Sequence, residues 1–197
     1  IMNIKNLLIL AAYGISVVSG PVVQAFETSV AVRTNLDGQA TKIVDGDTIH
    51  FHDDRAPEDA KDLRIRMLGI DAPEAHFPTS DGMKGQGKWG EMATEHLEKL
   101  MPTGSKVVLE SHGFDKYHRV LGRILYKGRD VNLKMVLDGA AIPYIICEGT
   151  ECNEEFFERD HVEDYINACN QARENELGIF DSEHPLREMP FEFRLRL

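Results

Sequence analysis

The sequence predicts an α+β protein: a small closed β-barrel with helices packed on it. Three observations carry this. Short runs of alternating apolar and polar residues come first and follow one another in meander order. Helical periodicity begins only near residue 89, and the helices are few. The regular strand–helix alternation of a parallel sheet is missing.

At 197 residues the chain has room for one domain with a sizeable core and extensions at its ends. Composition is ordinary for a globular protein, without repeats or low-complexity tracts. A net charge of -11 argues at first against nucleic-acid binding, which favours basic surfaces. The charge is uneven, however. Residues 61–130 are slightly basic and residues 141–197 strongly acidic, so net charge alone excludes neither class.

Taken in order, Lys5, the apolar run 7–18 and the small residues Val23 and Ala25 read as an export signal over 1–25, cleaved after Ala25. An uncleaved anchor is the alternative, weakened by Gly14, Gly20 and Pro21. The implied location is secreted or periplasmic, with no stable membrane association after cleavage. Residues 26–39 lack a clear period and read as a linker, 40–182 as the domain and 183–197 as a C-terminal tail. Strands are expected at 40–44 and 48–51 around the turn Asp45-Gly46-Asp47. The next strand, from Leu63, puts Ile65 and Met67 on one side and Arg64 and Arg66 on the other. It ends at Asp71-Ala72-Pro73-Glu74, because proline cannot continue a strand. Residues 75–88, with Pro78 and three glycines, read as a long loop.

From Trp89 the period becomes helical, with Met92, Ala93, Leu97 and Leu100 on one face and Pro102 and Gly104 ending the run. Strands at 106–110 and 120–126 flank a turn, a short helix spans 132–137, and a further strand spans 141–146. A long helix over 154–176 has Phe157, His161, Tyr165, Ala168 and Ala172 as its stripe and Gly178 at its end. Cys147, Cys152 and Cys169 permit one bridge at most, and all three pairings stay open. Their spacing does not suit zinc.

Three clusters carry possible chemistry: Asp45-Gly46-Asp47-Thr48, Arg66 with Asp71 and Glu74, and Asp115-Lys116-Tyr117-His118-Arg119. Each alone has a bland reading as a turn or a solvated loop. Together, two turns offer acids while two separate elements offer arginines. Carboxylates with a carbonyl are hard oxygen ligands and point to Ca²⁺ or Mg²⁺. Arginine forks match phosphate oxygens, and a spare carboxylate can serve as a general base. These are the parts of a phosphodiesterase.

The runs Val44-Asp45-Gly46-Asp47-Thr48, Arg66 to Glu74 and Asp115 to Arg119 resemble the staphylococcal nuclease family in order and spacing. The resemblance implies a five-stranded OB-fold barrel with about three packed helices, a monomer that hydrolyses DNA and/or RNA as an endonuclease of low sequence specificity, and Ca²⁺ as cofactor. It implies that Asp47 and Asp71 ligate the ion by carboxylates and Ala72 by its carbonyl. Glu74 is then the general base, Arg66 and Arg119 hold the phosphate, and Lys116 and Tyr117 line the nucleotide pocket. The pattern departs at His118, where the family has glycine, and at Ile145, where it often has an aromatic. A barrel that has lost its chemistry and only binds nucleic acid or protein is the alternative expectation.

Overall fold

The β-barrel closes through one parallel pairing. Strands β1 (Thr34–Asp45), β2 (Thr48–Asp53) and β3 (Leu63–Met67) form an antiparallel meander. After the two-residue β4 (Ile70–Asp71) and helix α1 (Lys88–Leu100), strands β5 (Lys106–Phe114) and β6 (Val120–Tyr126) make a hairpin. β1 pairs with β5, and β3 pairs in parallel with β6, which closes the five strands on themselves. Closure leaves the barrel without an open edge. Then follow β7 (Arg129–Asp130), α2 (Val131–Leu137), β8 (Ile142–Pro143), the small hairpin β9 (Cys147–Glu148) and β10 (Glu151–Cys152), α3 (Arg159–Glu174) and α4 (Pro190–Leu195). This computed structural model describes residues 34–76, 85–145, 147–148, 151–152 and 159–195.

The alternation read from the sequence fills the barrel. Ile49 and Phe51 of β2, Ile65 and Met67 of β3, Leu109 of β5 and Ile124 of β6 are fully or almost fully buried. Ala93 and Leu97 bring α1 onto this core, Met135 and Val136 bring α2, and Tyr165 and Ala168 bring α3. Asn132, buried at the start of α2, ties barrel to helix. Its Oδ1 accepts from Ile124 N at 3.1 Å, and its Nδ2 donates to Leu68 O at 2.9 Å and Gly122 O at 3.1 Å.

The expected fold class holds, with differences at the edges. β1 begins at Thr34, inside the stretch expected as a linker, because Thr34 to Gln39 find a partner strand in β5. A lone strand shows no sign of that partner. The strand expected over 141–146 is a two-residue pairing with β4, ended by Pro143. The tail past residue 182 carries a fourth α-helix among the described residues, α4. The export signal at 1–25, the linker residues 26–33 and the first residues of the expected long helix lie outside the described residues. No helix among the described residues is long and apolar enough to cross a membrane.

Candidate active site

Two turns meet at one end of the barrel because of strand register. Thr48 pairs with Arg66 across β2 and β3, so Asp47, one residue earlier, lies against the end of β3. Met67 N donates to Asp47 O at 2.8 Å and fixes that approach. From the β1–β2 side come Asp45 and Asp47; from β4 and the turn after it come Asp71, Ala72 and Glu74. Gly46 allows the contact: a Cβ there would sit 2.7 Å from the Cβ of Ala72 and 2.8 Å from that of Ala93. Helix α1 supports the other side, where Gly90 brings its backbone close under Glu74.

Arg66 ties the acids together. Its Nη1 lies 3.0 Å from Asp47 Oδ2, and its Nη2 lies 3.0 Å from Asp71 Oδ1. Nη1 also donates to the carbonyls of Met67 and Ile70, at 3.1 and 3.0 Å. Asp47 Oδ2 accepts from Ala72 N at 3.0 Å, and Asp47 Oδ1 from Thr48 Oγ1 at 3.1 Å. Asp71 is fully buried and Asp47 is 7% exposed. Charges this deep persist only with partners.

The acids exceed what the nearby cations neutralise comfortably. Burial, with the negative charge of Asp47, pushes Asp45 up to about 7. Burial likewise raises Asp71 and Glu74 above the ordinary carboxylate range, although Arg194 opposes it at both. The Glu74 backbone N–H is held by Gln86 Oε1 at 3.1 Å.

Arg194, in α4, completes this end of the barrel and was not a candidate on sequence grounds. Its Nη1 lies 2.7 Å from Asp71 Oδ1 and 2.6 Å from Glu74 Oε1, and its Nη2 lies 2.8 Å from Asp71 Oδ2. The sequence carries a trace of the helix: Pro190 stands at a first helical position with Glu192 two residues on, and Glu192 Oε2 accepts from Met189 N at 2.9 Å. Nothing in the sequence pairs that arginine with Asp71.

Of the candidate residues, the structure brings together Asp47, Asp71, Ala72, Glu74 and Arg66. Lys116, Tyr117 and Arg119 sit on a separate turn at the start of β6. Arg119 Nε lies 2.7 Å from Asp115 Oδ2, its backbone N–H donates to Asp115 Oδ1 at 2.9 Å, and its guanidinium lies 5.7 Å from the Tyr117 ring centroid. Burial would raise Asp115, but the Arg119 backbone and side-chain bonds hold it below its usual range. Tyr117 is 67% exposed, with Lys116 Nζ 5.1 Å from its ring. His118 adopts φ 60, the left-handed conformation that glycine takes most easily and histidine more readily than most. Arg123 belongs elsewhere: it pairs with Glu110 at 2.6 Å and Asp130 at 3.4 Å, beneath α3.

The donor set suits a hard divalent cation. Asp47 and Asp71 offer carboxylate oxygens and Ala72 a carbonyl, the hard donors such ions take. Among the described residues no group of three or more His, Cys, Asp or Glu side chains closes around a single point. An ion held by these two carboxylates and the carbonyl would take its other ligands from water and phosphate.

Comparison with known proteins agrees with the fold. Residues 64–182 match the family described as staphylococcal nuclease homologue. Endonuclease YhcR of Bacillus subtilis (strain 168) is 34% identical over 164 residues, which are 81% of this chain and 13% of that protein. An uncharacterized endonuclease of Escherichia coli is 29% identical over 153 residues, 77% of this chain and 82% of the other. Probable endonuclease LCL3 of Komagataella phaffii (strain GS115 / ATCC 20864) is 28% identical over 192 residues, 82% of this chain and 78% of the other. The chain thus spans a small part of the Bacillus protein and most of the other two.

Proposed function

The chain belongs to the family of staphylococcal nuclease homologues, and from that premise we propose that it is a Ca²⁺-dependent endonuclease acting on DNA and/or RNA with low sequence specificity. The observation that carries the reading is the convergence of Asp47 and Asp71 on Arg66 from two turns, with Glu74 held beside Asp71 by their shared contact with Arg194. Such a buried cluster of acids and guanidinium is costly as a stabilising device and useful as a phosphate-handling one.

Asp47, Asp71 and the Ala72 carbonyl would hold Ca²⁺, which when bound neutralises charge developing on the phosphate oxygens. Glu74 is the general base. It accepts a proton from water as that oxygen attacks phosphorus, and the bond from phosphorus to the leaving oxygen breaks. Burial raises the proton affinity of Glu74, which favours this task at neutral pH. Arg66 has Nε and part of Nη2 free of the hydrogen bonds described above, and these can meet a phosphate oxygen while Nη1 keeps Asp47 and the rest of Nη2 keeps Asp71 in place. Arg119, anchored by Asp115, supplies a second guanidinium. Lys116 and the exposed Tyr117 line the approach for the nucleotide. From its N-terminal pattern we also propose that the protein is exported, secreted or periplasmic, with a mature N-terminus that mass spectrometry would locate after Ala25, and that it acts as a monomer.

Plasmid nicking with purified protein tests the core of this. EGTA is expected to abolish cleavage and added Ca²⁺ to restore it. Glu74→Gln is expected to lower turnover by about 10²–10⁴-fold with the fold intact by circular dichroism. Cleavage that persists in chelator would remove the metal assignment, and near wild-type turnover of the variant would remove the base.

A further inference from the structure

We propose that helix α4 is an internal competitor for the divalent cation: Arg194 occupies Asp71, a ligand, together with Glu74, the base beside it, and it must withdraw before Asp71 can face an ion. The proposal rests on the calcium reading above.

The contact is specific. Both Asp71 oxygens and one Glu74 oxygen accept hydrogen bonds from this single guanidinium, at 2.8 Å or less. Asp71 is also the acid that Arg66 holds at 3.0 Å, so Arg194 binds at the centre of the cluster and not at its rim. A guanidinium and a divalent cation are like charges seeking the same oxygens, and they repel when they share them. Arg194 also lies beyond the span matched to the family, which ends at residue 182.

Its docking is organised but slight. Phe193 and Pro190 are buried beside it, and the Glu188 carbonyl accepts from Gln86 Nε2 at 2.8 Å. Gln86 is the residue whose Oε1 holds the Glu74 backbone N–H. One side chain therefore couples the position of the tail to the position of the general base. A six-residue helix whose own buried residues are Pro190 and Phe193, following Leu186, can release without unfolding the barrel. When it does, Asp71 and Glu74 regain free oxygens in a pocket already built. Under this scheme the apparent ion affinity is reduced by the fraction of molecules with the tail docked. Linkage is reciprocal, so bound Ca²⁺ expels the arginine as strongly as the arginine excludes Ca²⁺.

Calcium binding measured by titration calorimetry on the full chain, alongside thermal unfolding, tests this without reference to cleavage. Arg194→Ala and Arg194→Gln are expected to bind Ca²⁺ about 5–150-fold more tightly than the wild type, with Arg194→Lys in between. In EDTA the Ala and Gln variants should melt below the wild type, and saturating Ca²⁺ should raise their Tm by more. Binding by the wild type with equal or weaker affinity in both variants would overturn the competition and leave the calcium site standing. Absence of Ca²⁺ binding in every form would bring down the calcium reading and this inference with it.

Discussion

Asp45→Asn isolates the electrostatic load of the site. Asp45 is the last residue of β1, paired with Thr48, and its Oδ1 accepts from Asp47 N at 3.1 Å, a bond that an asparagine oxygen can keep. Raising this carboxyl from 3.8 to about 7 is equivalent to on the order of 4 kcal/mol against its charged form in the folded state. Between those values the folded chain keeps a proton that the unfolded chain has released. Stability from this group is therefore present below pH 4 and lost as pH rises towards 7. Asparagine mimics the protonated carboxyl and avoids the loss.

Urea unfolding in EDTA from pH 4 to 8 measures this directly. Wild type and variant should coincide near pH 4 and separate as pH rises, the variant ending about 2–4 kcal/mol more stable at pH 8 once partial solvation of the turn is allowed for. Parallel pH profiles, or a variant that is less stable at pH 8, would refute the account of burial together with repulsion from Asp47 and Glu74. Saturating Ca²⁺ at pH 8 should narrow the gap, because a divalent cation offsets the same repulsion.

Asn132→Ala should cost on the order of 2–6 kcal/mol in urea unfolding, since Ile124 N loses its acceptor and Leu68 O its donor inside the core; a loss under about 1 kcal/mol would mean that water replaces the amide. Gly90→Ala would normally favour a helix by up to about 1 kcal/mol, but here a Cβ would meet Glu74 O at 2.3 Å. The displaced base should lower turnover by about 10²-fold, whereas a raised Tm with unchanged kinetics would show that the turn gives way harmlessly.

Most of the barrel was legible because its signals are local. Ile65 and Met67 alternate with Arg64 and Arg66, Pro73 stops the strand, and Asp45-Gly46-Asp47 announces a turn; each follows from backbone chemistry at its own position. The acids of the site were legible for the same reason, as they sit on those turns. What escaped depends on partners remote in the chain. Thr34 to Gln39 form a strand only because β5 lies alongside. Arg194 reaches Asp71 across the fold, and no period or motif in the tail encodes that meeting. The Asp115 to Arg119 run was legible as a turn, but not the direction of its arginine, which the bonds to Asp115 decide.

The core and the site are written in a single alternation, and this is why they are hard to separate by mutation. Along β3 the residues that point inward, Ile65 and Met67, complete the barrel, while Arg66 between them points to the acids. A register slip of one residue between β2 and β3 would carry Arg66 into the apolar interior and expose Ile65 and Met67. The apolar core therefore fixes the register, and the register fixes how Asp47 meets Arg66. The cost of gathering Asp45, Asp47, Asp71 and Glu74 is borne by that core, since the pairings of Arg66 and Arg194 with the acids still leave Asp45, Asp71 and Glu74 raised above their usual range. A site that strains its own fold in this way gains from any cation that approaches its acids, and an arginine on the tail and a divalent ion are alternative answers to the same excess of negative charge.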